Sequence, residues 1–341
     1  LMRMIECKNL AVRDITLRNS AMWVQHYLGC ENLLIDGITV YSLDNKNNDG
    51  IDIDSCDRVR IANCDIVAED DAIVLKSTTP RPCRRVTITN CTLSSLCNGL
   101  KLGTESVGGF QDIAISNCVV YDTRLSGIAL ELVDGGKLER VVVSNIAMNN
   151  TRSAIFIRLG NRARPYLATE GRGSTGPVTA DAGGEGTQRP GIGSLRDVII
   201  SNVVATGVDK TGCAVAGLPG HPIENVILQN IRITYAGGGG PELVDREIPQ
   251  QEARYPEYSM FGLLPAYGFY CRHVRAIRFD NVVLGYEQPE HRPALVCDDV
   301  EGLRLDGFEA KKPVSGGTIR LRNTTDVRGL GAGGAQSADA P

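Results

Sequence analysis

The sequence predicts an all-β protein, a single parallel β-helix of about ten coils. Two recurring columns carry that prediction, together with the lack of any helical pattern between them. One column follows a fixed template: a first residue, a small residue or Pro, then apolar, any, apolar, any. It recurs in NNDGIDIDS (47–55), EDDAIVLKS (69–77), NGLKLGT (98–104), SGIALEL (126–132), SAIFIRL (153–159), TGCAVAG (211–217), YGFYCRH (267–273) and RPALVCD (292–298), with SAMWVQH (20–26) upstream. Its apolar pairs run from Met22/Val24 through Ile51/Ile53, Ile73/Leu75, Leu100/Leu102, Ile128/Leu130, Ile155/Ile157 and Cys213/Val215 to Phe269/Cys271 and Ala294/Val296. Strict period-two alternation makes each segment a strand with one buried face. The other column sets an Asn after an alternating strand, at Asn63, Asn90, Asn117 and Asn145, spaced by 27, 27 and 28 residues. Asp14, Gly37 and Gly307 fill the same slot in weaker copies. With no helix to cross back, each coil must close on itself. The stacked Asn side chains are expected to bond to one another and to turn backbone at that bend.

Taken in order, residues 1–46 carry two coils, with Trp23, Gln25 and His26, and 47–160 carry the most regular ones. Two stretches break the repeat, 161–192 and 237–265; both are expected to leave after the aspartate-bearing column and fold over that face as walls. The tail 329–341 is low in complexity and is expected to be mobile. A length of 341 residues suggests two domains, but the repeat overrides it in favour of one β-helix domain over 1–328. Net charge is −4 with no basic run, which gives nucleic acid and acidic membranes little electrostatic hold. No apolar stretch reaches the roughly 18 residues of a membrane span. No signal peptide is visible, and the chain opens inside a coil, so further sequence is expected upstream of an extracytoplasmic protein, secreted or periplasmic. Most of the eleven cysteines fall in columns that other coils fill with aliphatic residues, so they read as packed thiols. No Cys/His spacing suggests zinc, and no metal or cofactor is expected.

The outward positions of the template column form the candidate site. Neighbouring coils stack about 4.8 Å apart, which sets Asp49 beside Asp71, with Asp70 at the lip. Like charges this close cannot all ionise freely, so at least one carboxyl should titrate high, the arrangement that general acid–base catalysis uses. An aromatic platform at Trp23, the outward Asp52 and Asn98, and a floor of Lys76, Lys101, Glu131 and Arg158 complete an open groove suited to a carbohydrate. The plainer reading is that Asp before Gly is ordinary turn chemistry. An Asp-Asp pair opening a strand beside a third Asp one coil away weighs against it. His26, His221 and His273 read as structural or rim residues.

These motifs resemble glycoside hydrolase family 28, the polygalacturonase-type right-handed parallel β-helices, over nearly the whole chain. The family's N-T-D-G matches Asn47-Asn48-Asp49-Gly50, its G-D-D matches Glu69-Asp70-Asp71, and its W-x-x-H coil matches Trp23 to His26. The resemblance implies an inverting hydrolase in which Asp70 is the general acid and Asp49 and Asp71 activate water, with the carboxyl groups roughly 6.5–9.5 Å apart. Asn98, Lys101, Lys76, Trp23, His26, Asp52, Glu131 and Arg158 are the candidate substrate-binding residues. Two departures bear on specificity. The family's G-H-G reads Cys97-Asn98-Gly99, and its R-I-K reads Ala129-Leu130-Glu131, which removes the cations that grip a galacturonate carboxylate. Either the sugar at the cleavage position is neutral, or Lys101 takes over the carboxylate. The expected activity is hydrolysis of a pectin-like or related glycan, with exo-action. Two alternatives stay open. One is a Ca²⁺-dependent lyase with Lys76 or Lys101 as base and Asp49, Asp52 and Asp71 as ligands. The other is a non-catalytic carbohydrate-binding β-helix.

Overall fold

A computed structural model describes residues 1–166 and 189–329 and the backbone of 335–337. The chain winds as a parallel β-solenoid of about 11 turns, one more than the repeats predict. Three ladders run along it. In the first, Ile51–Asp54 lies between Gln25–Leu28 and Ile73–Ser77, and the latter pairs on with Leu100–Ser106. In the second, Asp57–Ala62 lies between Glu31–Asp36 and Cys83–Thr89. In the third, Asp65–Ala68 lies between Thr39–Ser42 and Thr92–Ser95. From Phe110 the strands of a coil run on through their bends, as in Phe110–Leu132.

The Asn column marks one of those bends, and conformation explains the choice of residue. Asn63, Asn90, Asn117, Asn145, Asn202, Asn230 and Asn281 all hold a left-handed backbone, with φ between 51° and 57°. Asn tolerates that region better than other residues with a side chain. Asp14, Gly37 and Gly307 share it, which is why they substitute. The amides then bond up the stack, Asn145 donating to Asn117, Asn202 to Asn145, Asn230 to Asn202 and Asn281 to Asn230, each at 2.9 Å.

Inside, the template pairs Ile51/Ile53, Ile73/Leu75, Leu100/Leu102 and Ile128/Leu130 stack into one continuous core. Burying such a side chain is worth about 1.5–3 kcal/mol. Cys30, Cys56, Cys83, Cys64, Cys91 and Cys118 pack in that core too; all eleven cysteines are free, and all but Cys7 and Cys97 are buried.

Two registers differ from the sequence pattern. Phe269 pairs with Leu295 and Cys271 with Cys297, so Leu295 and Cys297 face the core and Val296 faces outward, one residue off the expected pair Ala294/Val296. Four apolar residues in a row leave alternation unable to choose, and a one-residue slip inverts every side chain. In the first template copy His26 pairs with Asp52 and Tyr27 with Ile53, three residues off, so Tyr27 enters the core and Met22 is exposed. The strand there starts only at Gln25, after a bend that breaks the alternation.

The second insertion leaves after Ile223–Gly237 and rejoins at Phe269–Gln288, ahead of the first ladder, whereas the sequence pattern places its departure after that ladder. It still covers that face. Ile248, Tyr258, Met260 and Phe261 pack on the outward Phe156, Ala214, Tyr270 and Val296 as a second apolar cluster. Most of the first insertion (167–188) and most of the tail (330–334 and 338–341) lie outside the described residues. Among the described residues no helix is long and apolar enough to cross a membrane.

Candidate active site

Asp49, Asp71 and Asn98 each sit just ahead of a first-ladder strand, and the ladder bonds fix them in line. Gly50 N–H donates to the Asp71 carbonyl at 2.9 Å, and Ala72 N–H donates to that of Asn98 at 2.9 Å. Gly50 serves this stacking and no turn: a Cβ there would stand 2.5 Å from the Ala72 carbonyl oxygen and 2.6 Å from Ile66. The Asp-Gly pair therefore marks close coil contact. Asp70 joins Asp49 and Asp71, and one oxygen of each lies within 4.8 Å of the others. The three acids thus form one tight group.

Two buried lysines hold the group. Lys76 Nζ lies 3.3 Å from both Asp49 and Asp52 and 3.9 Å from Glu105, under the Trp23 ring at 4.8 Å. Lys101 Nζ lies 3.1 Å from Asp71 and 3.9 Å from Glu131. Asn98 adds two bonds to Asp71 Oδ1, from its amide at 2.7 Å and its backbone N–H at 3.1 Å, and its own oxygen accepts from Ser126 N–H. Glu131 fits beside Gly103, whose φ is +117° and whose missing Cβ would stand 2.9 Å from the Glu131 Cβ and carbonyl oxygen.

Burial sets the titration of the acids. It pushes Asp49 up to about 7, with Lys76 opposing and Asp70 and Asp71 adding to the push. Burial and the Asp49 charge raise Asp52 well above the usual carboxylate range. Asp70 is raised by burial and by Asp71, against Lys101. Glu131 is raised far by burial. Burial opposes the charge of each lysine, yet the neighbouring acids hold both well above the ordinary value. A high-titrating carboxyl beside one that is ion-paired is the division that acid–base chemistry needs.

Several residues expected in an open groove are in fact enclosed. Asp52 and Asn98 are buried, and His26 is buried against Asp54 at 3.3 Å and edge-on to Trp23. Arg158 is 1% exposed and bonds the carbonyls of Gly217 and Gln250 under the Phe261 ring, so its guanidinium ties the insertion to the solenoid. Lys101, placed in the floor of the open groove, is likewise buried, at 3% exposed. Trp23, half-buried, stays at the rim beside Asp49, since Val24 N–H donates to the Asp49 carbonyl. Sequence reasoning misses four residues. Glu105 lies past the template, on an extension of Leu100–Ser106. Arg162 reaches back to Asp134 and Glu105. Tyr255 sets its ring 5.7 Å from Lys101 and 5.8 Å from Arg162. Glu257, beside it, is pushed up to about 7 by burial, against Lys101 and with Asp71 and Asp70. The last two sit in an insertion with no repeat to reveal them.

The three aspartates could gather a cation, but Lys76 and Lys101 already supply positive charge to two of them. Asp52, a ligand in the lyase reading, is outside that group.

Comparison with known proteins bears on the first half most directly. The family model for glycosyl hydrolases family 28 matches residues 1–163. A probable polygalacturonase of Vitis vinifera is 26% identical over 249 residues, 69% of this chain and 46% of that protein. An exopolygalacturonase of Oenothera organensis is 25% identical over 248 residues, 70% of this chain and 62% of that one. The chain thus spans roughly half the length of the curated relatives it matches. A solved exopolygalacturonase from Thermotoga maritima superposes with TM-score 0.61 at 20% identity, covering 83% of this chain and 54% of that one, a likeness of fold.

Proposed function

We propose, from the match of residues 1–163 to the family model for glycosyl hydrolases family 28, that the chain is an inverting glycoside hydrolase of a pectin-like or related glycan, built as one β-helix domain over 1–328. The observation that carries the reading is the cluster of Asp49, Asp70 and Asp71 within 4.8 Å, backed by two lysines. Asp70 is the general acid: burial and Asp71 raise it, the direction that favours the protonated form a proton donor needs. Asp71, paired with Lys101 and bonded twice by Asn98, and Asp49, paired with Lys76, orient the attacking water. Trp23 offers its face to a sugar ring. Lys76, Lys101, Asn98, Asp52 and His26 act by holding these groups, and Glu131 by lining the pocket.

The wall formed by the second insertion supports exo-action, because it covers the outward face from Phe156 onward, beyond the cluster. A groove blocked on one side favours a chain end. The test is a screen on oligosaccharides of defined length, with the product anomer followed by NMR at early times. Single sugars released from one end with inverted configuration are expected. Retention of configuration would refute the water-activating roles. Release of unsaturated product dependent on added Ca²⁺ would replace the reading with a lyase.

A further inference from the structure

Among the described residues, every cation that faces the acid cluster is already engaged. Lys76 serves Asp49, Asp52 and Glu105, and Lys101 serves Asp71 and Glu131. Arg162 is bonded to Asp134 and reaches Glu105. The groups left over carry the opposite chemistry. Asp49 Oδ1, Glu131 Oε1 and Glu257 Oε2 are buried and have no hydrogen-bond partner. Ionised carboxylate oxygens only accept, so these groups have no donor to offer an incoming carboxylate. Leaving a buried acceptor unpaired costs about 1–3 kcal/mol, more for a charged one.

Glu131 is fixed in this role. It is fully buried, accepts from Thr104 at Oε2, and stands against Gly103, so it has no room to swing away. Glu257 adds a second acid from the insertion, held in place by its neighbours: Tyr258 is buried in the apolar cluster, and Tyr255 lies over Lys101. A carboxylate brought into this pocket meets acids on several sides, and each described cation facing it is already ion-paired. Protonated Glu131 could donate one bond to it, but Asp71 and Glu257 would still face it with no unpaired cation among the described residues, and like charges at close range repel strongly.

We infer that the glycosyl unit bound at the cleavage position is a neutral sugar, and that a uronic acid is rejected there by the surrounding acids. The inference rests on the hydrolase reading for the identity of the site. It assigns Glu257 and Glu131 as specificity residues, and it gives the Lys101 charge to Asp71 and not to a substrate carboxylate.

The test uses matched aryl glycosides, each uronide beside the neutral sugar of the same ring stereochemistry. Binding to Asp70→Asn is read by fluorescence of Trp23, the chain's one tryptophan, and turnover is read with the unaltered protein. Neutral members are expected to bind at least about tenfold tighter than their uronides, about 1.4 kcal/mol. Glu257→Gln should narrow that ratio several-fold. Glu131→Gln should narrow it further, and if it fails to fold, Glu257→Gln still decides. A uronide that binds as tightly as its neutral partner overturns the inference and leaves the hydrolase intact. Selective neutral binding with no turnover of any member removes the hydrolase and leaves the inference. No binding to any member of the panel overturns the inference as well.

Discussion

Replacing Lys76 with Met should move the titration of Asp49 upward. Lys76 Nζ stands 3.3 Å from Asp49 and 3.3 Å from Asp52, and it is the main influence opposing burial at Asp49. At that distance, with an effective dielectric near 20, the attraction is about 5 kcal/mol. Lys76 is shared among three acids, so the share felt by Asp49 is smaller. A cation at this range typically lowers a carboxylate by about 1–3 pH units. The Asp49 midpoint, about 7 with the lysine present, should therefore rise to roughly 8–10 without it. Trp23 lies over Lys76 beside Asp49, so a pH titration of tryptophan fluorescence reads the change directly. Stability gives the second readout, and its sign is fixed. Asp49 titrates higher in the folded chain than its ordinary 3.8, so its contribution is whole below about 4 and lost as pH rises through the folded value. In Lys76→Met that loss should extend to higher pH, and the melting midpoint should fall between about pH 7 and 9 more steeply than in the unaltered protein. A fluorescence midpoint that stays at 7 or moves down would refute the electrostatic account of the site.

Three further outcomes rest on the same geometry. Asp70→Asn should lower kcat by about 10²–10⁴ with unchanged circular dichroism; activity within a few-fold of the parent would remove it as the acid. Asp49→Asn and Asp71→Asn should each abolish most turnover, with the double variant little worse than either single one; fully additive losses would contradict a shared water. Gly103→Ala should destabilise by about 1–3 kcal/mol in urea unfolding, because its φ is +117° and the new methyl would meet Glu131 at 2.9 Å; a neutral result would show that the Glu131 pocket is loose.

The fold is legible in the sequence because it repeats. Period-two alternation names the buried pairs, and the Asn spacing names the bend, since a left-handed backbone recurs there and few residues with side chains accept it. Legibility fails where the local signal is degenerate. The run Ala294 to Cys297 is apolar throughout, so it cannot show which parity faces inward. At Trp23 a bend ahead of Gln25 breaks the alternation and shifts the register by three. Glu257 and Tyr255 carry no signal, because an insertion has no copies to compare.

The sequence by itself determined the solenoid, the alignment of Asp49 with Asp71 and the presence of Asp70 beside them. Each of these is set by residue spacing along one repeating backbone. Only the tertiary structure decided what surrounds those acids. An outward position on a coil reads as surface until something packs over it. Here Lys76, Lys101, Asp52 and Glu131 are buried instead, with Tyr255 and Glu257 brought over the cluster by a segment more than 180 residues downstream of Asp71. Burial is what raises the carboxyls and ties the lysines to them, and burial is a property of packing across distant segments that no local pattern records.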